Sequence, residues 1–237
     1  MLRILAFETS AKAASVALLQ DGQLLGEYMQ NSGQTHSRTV MKLAEDLLIN
    51  CDLTAKDVDA VGCAAGPGSF TGIRIGMAAA KGFAWGRGLP LVGVSTLEAM
   101  AKNVAVSDGY HCAVMDARRS QVYTAVFELK DGIFQRVTAD AAISLDELGE
   151  TLKTLEKTKF LVGDGALLCY NTLGSSVQDL RLLPEHLRMQ RAAGVALLAW
   201  EQLQTGQTLP VGELTPNYLR LSQAERERQK KMKDGVI

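Results

Sequence analysis

Gly66-Pro67-Gly68-Ser69-Phe70-Thr71-Gly72-Ile73-Arg74-Ile75-Gly76 decides how the chain is read. Before it runs Val58-Asp59-Ala60-Val61-Gly62-Cys63-Ala64-Ala65, apolar and short enough for a buried strand. After it, Met77 to Trp85 is rich in Ala and Met, and Gly86 and Gly88 supply stop signals for a helix. A strand-to-helix turn of this kind leaves backbone N–H groups free at the helix start, where the helix dipole favours an anion. Gly66, Gly68 and Ser69 are therefore candidates for a phosphate or carboxylate cradle. The plainer alternative is a tight turn followed by a small-residue helix pressed against a neighbour. The spacing fits neither GxGxxG nor GxxxxGKS/T, and no lysine stands where a P-loop needs one. Any nucleotide held here is expected to bind weakly.

Working outward, Leu2 to Phe7 reads as a buried strand ending at Glu8-Thr9-Ser10. Ala14 to Leu19 and Gln23 to Met29 flank Asp21-Gly22, a strong two-residue hairpin signal. His36 to Cys51 has a helical apolar period through Val40, Leu43, Ala44, Leu47 and Leu48. Leu89 to Val94 is a further strand, and Ser95-Thr96-Leu97-Glu98 a capping box opening a helix toward Asn103.

The same order then recurs. Cys112 to Met115 ends at Asp116-Ala117-Arg118-Arg119, Val122 to Phe127 follows, and Asp131-Gly132 marks a second hairpin before Ile133 to Val137. Ser144-Leu145-Asp146-Glu147 caps a helix expected to run through Leu155. Phe160 to Val162 leads into Gly163-Asp164-Gly165 and a helix Ala166 to Leu173; Leu180 to Leu183 is a short strand and Arg188 to Gln204 a long helix. The fold class is α/β with duplicated βββαβαβα halves, residues 1–106 and 107–237. That is the layout of the actin-like ATPase, sugar kinase and Hsp70 (ribonuclease H-like) architecture. Glu8 and Asp116, with Thr9 beside the first, would then face each other across a cleft. The glycine turns at Gly66, Gly68, Gly163 and Gly165 complete a vestigial nucleotide or anion site. A strand-end carboxylate also has a simpler use, accepting N–H bonds from the next turn.

Composition narrows the classes. A net charge of −1 gives no case for unaided nucleic-acid binding, and 47% hydrophobic with 22% charged residues suits a globular protein. Cys51, Cys63, Cys112 and Cys169 are far apart with no CxxC pair, so they read as buried thiols in a reducing cytoplasm. No run approaches membrane-spanning length, and no membrane partner is expected. His36, His111 and His186 form no metal-ligand pair on one helix face and no nucleophile–base arrangement; they read as surface or cap residues. Glu225 to Lys233, of mixed charge, reads as a solvated helix, with a contact to a partner or to RNA as the alternative.

Ile4 to Ser10, Gly66 to Gly76, Val94 to Glu98, Asp116 to Arg119 with Gln121-Val122-Tyr123, and Pro216-Asn217-Tyr218-Leu219-Arg220 together resemble the TsaB (YeaZ) family. The likeness runs from Leu2 to about Glu225, and the Gly66–Gly76 segment is its most specific part. One departure is Glu8, where the family usually has Asp. The resemblance implies a non-catalytic subunit in the threonylcarbamoylation of adenosine 37 of tRNA (t6A). Its catalytic relative, TsaD, carries two histidines four apart just after the strand matching Leu89–Val94, and here those positions are Thr96 and Met100. Implied partners are a TsaD-like catalytic subunit, a TsaE-like ATPase, a second copy of the chain, and tRNA only within the complex. No metal or cofactor is required, with ATP or ADP bound weakly at most. Helices 71–85 and 36–51 are expected to dock through Met41, Leu48, Gly72, Ile73, Gly76, Met77, Ala80 and Phe83. The competing readings are an actin-like ATPase or small-molecule kinase acting alone, and a metallopeptidase.

Overall fold

In the computed structural model, residues 1–208 and 210–220 are described; the charged stretch 225–233 lies outside them. The elements are β1 (Arg3–Glu8), β2 (Ala14–Gln20), β3 (Gln23–Gln30), α1 (His36–Asn50), β4 (Ala60–Gly66), α2 (Phe70–Trp85), β5 (Leu91–Ser95) and α3 (Thr96–Val104). They continue as β6 (Gly109–Asp116), β7 (Gln121–Lys130), β8 (Ile133–Arg136), β9 (Ala141–Ser144), α4 (Leu145–Lys153), β10 (Lys159–Val162), α5 (Ala166–Leu173), β11 (Leu180–Leu182), α6 (Glu185–Arg188) and α7 (Ala192–Gln204).

Two sheets result, ordered β3-β2-β1-β4-β5 and β11-β10-β6-β7-β8, with β9 also pairing with β7. The duplication is topological: β1 is antiparallel to β2 and parallel to β4, and β6 is antiparallel to β7 and parallel to β10. Both Asp-Gly turns take the left-handed backbone a two-residue hairpin needs, with φ of 48° and 83° at Asp21-Gly22 and 51° and 77° at Asp131-Gly132.

The first sheet has a core on each face. One is built with α1 and α2, through Val40, Leu47, Ile73 and Met77. The other is built with α7, through Val195, Ala196 and Ala199. The second sheet is covered on one face by α4 and α5 and on the other by α3, through Leu97, Met100 and Ala101. So α3 lies between the sheets, and α7 returns from late in the chain to the first sheet. The α7 start has no cap of its own; Ala192 N–H donates to Ser15 Oγ and Ala193 N–H to Glu27 Oε1, both at 3.0 Å. The Glu27 carboxylate thus faces the positive end of α7 and also pairs with Arg191.

Several expectations need correction. The helix expected over Arg188–Gln204 is broken: Arg188 ends α6, Arg191 is extended (φ −136°, ψ 139°), and α7 begins at Ala192. Gln190 within the break is fully buried because its amide donates to Asp164 Oδ1 at 3.0 Å. The capping box is complete at Ser144 and Glu147. At Ser95 only half forms, since Glu98 turns away to Arg136 at 2.5 Å. His111, expected at the surface or a cap, is buried and stacked on Phe160 at 5.3 Å. No described helix is long and apolar enough to cross a membrane.

Candidate functional site

The two central strands, β1 and β6, end at the cleft between the sheets. At the first end Ser10 N–H donates to Glu8 Oε1 at 2.5 Å; at the second Arg118 N–H donates to Asp116 Oδ1 at 2.7 Å. Each acid therefore secures the turn two residues ahead, the simpler of its two expected uses. Glu8 is 1% exposed, and burial pushes its carboxyl from an ordinary 4.5 to about 7. Ser10 opposes the rise through its N–H and its nearby hydroxyl, although that hydroxyl meets no full hydrogen-bond geometry. The charge of Asp164 adds to the rise. Asp164 is itself pushed up by burial, with the Gln190 hydrogen bond pulling the other way.

The glycine turns are filled by the chain itself. A Cβ on Gly66 would stand 2.6 Å from the Asn217 carbonyl oxygen, and one on Gly68 2.6 Å from that of Ser10. In the second half a Cβ on Gly163 would meet the Val114 carbonyl oxygen at 2.0 Å and Met100 Cε at 2.4 Å; on Gly165 it would meet Asp116 N at 2.9 Å. Ser69, the N-cap of α2, donates its own N–H to the Ser10 carbonyl at 2.7 Å and accepts the Gly72 N–H on its side chain. Close backbone packing thus accounts for these glycines.

The same holds for the small-residue stripe on α2, and it corrects the expected docking face. Thr9 of the first turn lies against it, donating from Oγ1 to the Gly72 carbonyl at 2.7 Å. A Cβ on Gly72 would stand 2.1 Å from the Thr9 carbonyl oxygen, and one on Gly76 2.2 Å from Thr9 Oγ1. Gly72, Ile73, Gly76, Met77 and Ala80 are buried against their own sheet, as is Leu48 of α1. Phe83 is partly buried. Met41 alone of that group is exposed, at 44%, joined on the outer side of these helices by Ile49 and by Trp85 at 81%. The apolar character of α2 overstates its free surface because the Thr9 turn packs directly on Gly72 and Gly76.

Between the halves lies a cavity of about 600 Å³. Ser10, Lys12, Gly68, Ser69, Phe70, Asp116, Arg118, Tyr123 and Asp164 are among its lining residues. A strap from near the chain's end crosses its mouth. Leu214 is buried in the first core, Asn217 N–H donates to the Ala65 carbonyl at 2.7 Å, and Tyr218 stacks on Phe70 at 4.8 Å. Arg74 lies over the other ring, 3.8 Å from the Phe70 centroid, and its Nε donates to Tyr218 Oη at 2.7 Å. Arg220 then reaches the second half, donating to the Ala117 carbonyl at 2.6 Å. The turn it meets holds Arg118, Arg119 and Ser120 at φ of 62°, 57° and 57°. A left-handed run without glycine costs about 1–2 kcal/mol per residue. Lys12, Arg118, Tyr218 and Arg220 were not singled out from the sequence, although the segments Asp116–Arg119 and Pro216–Arg220 contain three of them.

Other chemistry is disfavoured where it was expected to be. Burial pushes the thiols of Cys63, Cys112 and Cys169 up to about 12, so none is a ready nucleophile. His36 places Nε2 2.8 Å from the Ala11 carbonyl as a link between α1 and the first turn. Among the described residues no group of three or more His, Cys, Asp or Glu side chains is arranged to hold a metal ion.

TsaB of Bacillus subtilis, a tRNA threonylcarbamoyladenosine biosynthesis protein, is 32% identical over 225 residues, covering 94% of this chain and 96% of its own. The domain family described as TsaD, tRNA N6-adenosine threonylcarbamoyltransferase, matches residues 26–228. The chain belongs to the TsaB family, within the wider TsaD domain family. The crystal structure of YeaZ from Pseudomonas aeruginosa superposes with a TM-score of 0.77 at 25% identity, covering 92% of this chain and all of that one. Component A of the (R)-2-hydroxyglutaryl-CoA dehydratase of Acidaminococcus fermentans has a TM-score of 0.52 at 12% identity over 86% of this chain and all of that one. That second likeness speaks for the fold alone, the actin-like and sugar-kinase architecture expected from the duplicated halves.

Proposed function

We propose that this protein is a non-catalytic subunit for threonylcarbamoylation of adenosine 37 in tRNA, acting in the cytoplasm with a TsaD-like catalytic subunit and a TsaE-like ATPase. The observation that carries the non-catalytic reading is the state of Thr96 and Met100 on α3. Thr96 is fully buried, and Met100 is 2% exposed, packed with Leu97, Ala113 and Val162 in the seam between the sheets. Side chains committed to a core, one a hydroxyl and one a thioether, are poor substitutes for two imidazoles on a metal. Both glycine turns are also packed against the chain's own backbone and neither carries a lysine at P-loop spacing, so nucleotide binds weakly at most and no cofactor is required.

Docking to the catalytic subunit, and to a second copy, uses the outer side of α1 and α2, where Met41, Ile49 and Trp85 remain exposed. Burying Trp85 in a partner would give a large anchor. The test is reconstitution with adenylate and tRNA supplied. The chain alone should transfer no threonylcarbamoyl group, and adding both partner subunits should restore transfer. Met41→Glu with Trp85→Glu should abolish co-elution with the catalytic subunit while circular dichroism stays unchanged. Transfer by the chain alone overturns the non-catalytic reading, and capture by the double variant moves the docking surface elsewhere.

A further inference from the structure

The cleft carries charges of both signs. Asp116 and Asp164 line the cavity, and Glu8 is buried at the end of β1. Cations stand at the mouth: Lys12, Arg118 and Arg220 line the cavity, Arg119 is next to Arg118, and Arg74 is joined through the Phe70–Tyr218 stack. None of these five makes an ion pair with the other described residues. On a chain of net charge −1, that concentration is local.

We propose that this rim is an RNA-binding surface, taking a single-stranded loop whose backbone follows Lys12, Arg74, Arg118, Arg119 and Arg220 and whose base meets Tyr218. The inference deepens the proposed function and rests on it for the choice of RNA. The rim is held in shape before any ligand arrives. Arg74 is fixed by stacking on Phe70 and by its hydrogen bond to Tyr218, and Arg220 is tied to the Ala117 carbonyl. The three consecutive left-handed residues at 118–120 project two arginines from one tight turn, a strained backbone of the kind found at binding sites. Tyr218, 38% exposed, adds an aromatic surface among the cations. Cations interleaved with aromatics suit unstacked bases; a duplex or an acidic peptide would use the charges alone.

The test uses the reconstituted complex, with assembly confirmed by co-elution before any titration. Fluorescence anisotropy follows a labelled tRNA transcript carrying adenosine at position 37, and a labelled single-stranded 15-mer RNA, over a range of salt. Arg118→Glu with Arg119→Glu should weaken binding by about tenfold or more. It should also flatten the salt dependence by about 1.4 in the log–log slope, two phosphate contacts' worth on a single strand. Arg118→Gly with Arg119→Gly removes the same charges while suiting the left-handed backbone, and should show the same loss without harm to folding. Tyr218→Ala should weaken RNA binding but leave binding of a poly-glutamate competitor unchanged. If both double variants assemble and bind RNA with wild-type affinity and slope, the proposal is overturned. If poly-glutamate competes as well as RNA and Tyr218→Ala changes nothing, the rim is a generic anion surface and the RNA assignment falls. If no complex forms, the docking reading fails by itself. The chain alone is then titrated at low salt, and absence of RNA binding there overturns the rim as well.

Discussion

The two halves place the same bond at the same point and bury it differently. In each, the acid ending the central strand accepts the N–H of the residue two ahead, Ser10 for Glu8 and Arg118 for Asp116. Around Glu8 the turn is sealed, with Thr9 wedged against α2 and Ser10 under Gly68. Around Asp116 it stands open at the rim and carries two arginines. The paired acids thus sit in core on one side and at the surface on the other. The difference lies in what each turn packs against, which sets how each half should respond to change.

The largest effects should come from the close backbone approaches, which both halves share. Gly72→Ala puts a Cβ 2.1 Å from the Thr9 carbonyl, and Gly163→Ala puts one 2.0 Å from the Val114 carbonyl at a φ of +111°. Each should cost about 3–5 kcal/mol or prevent folding, seen as loss of the thermal transition or of soluble protein. Gly82→Ala on the exposed side of α2 meets nothing within 4 Å and should instead stabilise by about 0.5–1 kcal/mol. Tolerance of Gly72→Ala with intolerance of Gly163→Ala would show that the first turn is less tightly closed than the second.

Glu8 sharpens the contrast next. Its folded pKa of about 7 lies above the ordinary 4.5, so between those values the folded state holds more protons than the unfolded state. Stability should therefore fall as pH rises through that window, by on the order of 3 kcal/mol, and level off above about 7. Glu8→Gln should remove most of this slope and raise stability at pH 8, read from urea midpoints at several pH values. An unaltered slope in Glu8→Gln would mean that another group carries the titration.

Much of this is legible in the sequence itself. The repeated Asp-Gly hairpins, the strand-end acids and the glycine turns gave the duplicated fold because each is a local signal tied to a local backbone need. The cleft's contents were harder. Glycine says that something comes close, but it does not say what; here Asn217, Ser10 and Val114 pack against Gly66, Gly68 and Gly163, where a ligand was expected. The apolar sides of α2 suggest a partner for the same reason, since no pattern within 70–85 reveals that Thr9, just after β1, lies against Gly72 and Gly76. The break at Gln190 and the cap that Glu27 supplies to α7 depend on residues 26 and 166 positions away, respectively. Contacts at such separations leave no periodic trace. The segment Pro216–Arg220 was visible as part of a family resemblance, while its path over the cleft had no local signature.

The smallest effect concerns that strap, which links the open turn of the second half to the closed first half. Arg220 makes its hydrogen bond to the Ala117 carbonyl at the partly exposed rim, where such a bond contributes about 1 kcal/mol. Global stability should hardly register Arg220→Ala, because α3 and α7 already join the halves through buried apolar contacts. The local turn has less to hold it: Gln121 N–H reaches the Arg118 carbonyl at 3.3 Å and Ala117 N–H the Gln121 carbonyl at 3.0 Å. Three left-handed residues strain against those bonds. Losing about 1 kcal/mol there should speed amide exchange at Ala117 and Gln121 roughly fivefold. Exchange at Ser10 and Ser69, sealed in the first half, should stay the same. Equal acceleration at both places would mean that the strap holds the halves together as a unit. No acceleration at either would mean that the turn at 117–121 keeps its shape without Arg220, leaving the buried helices as the whole of the connection.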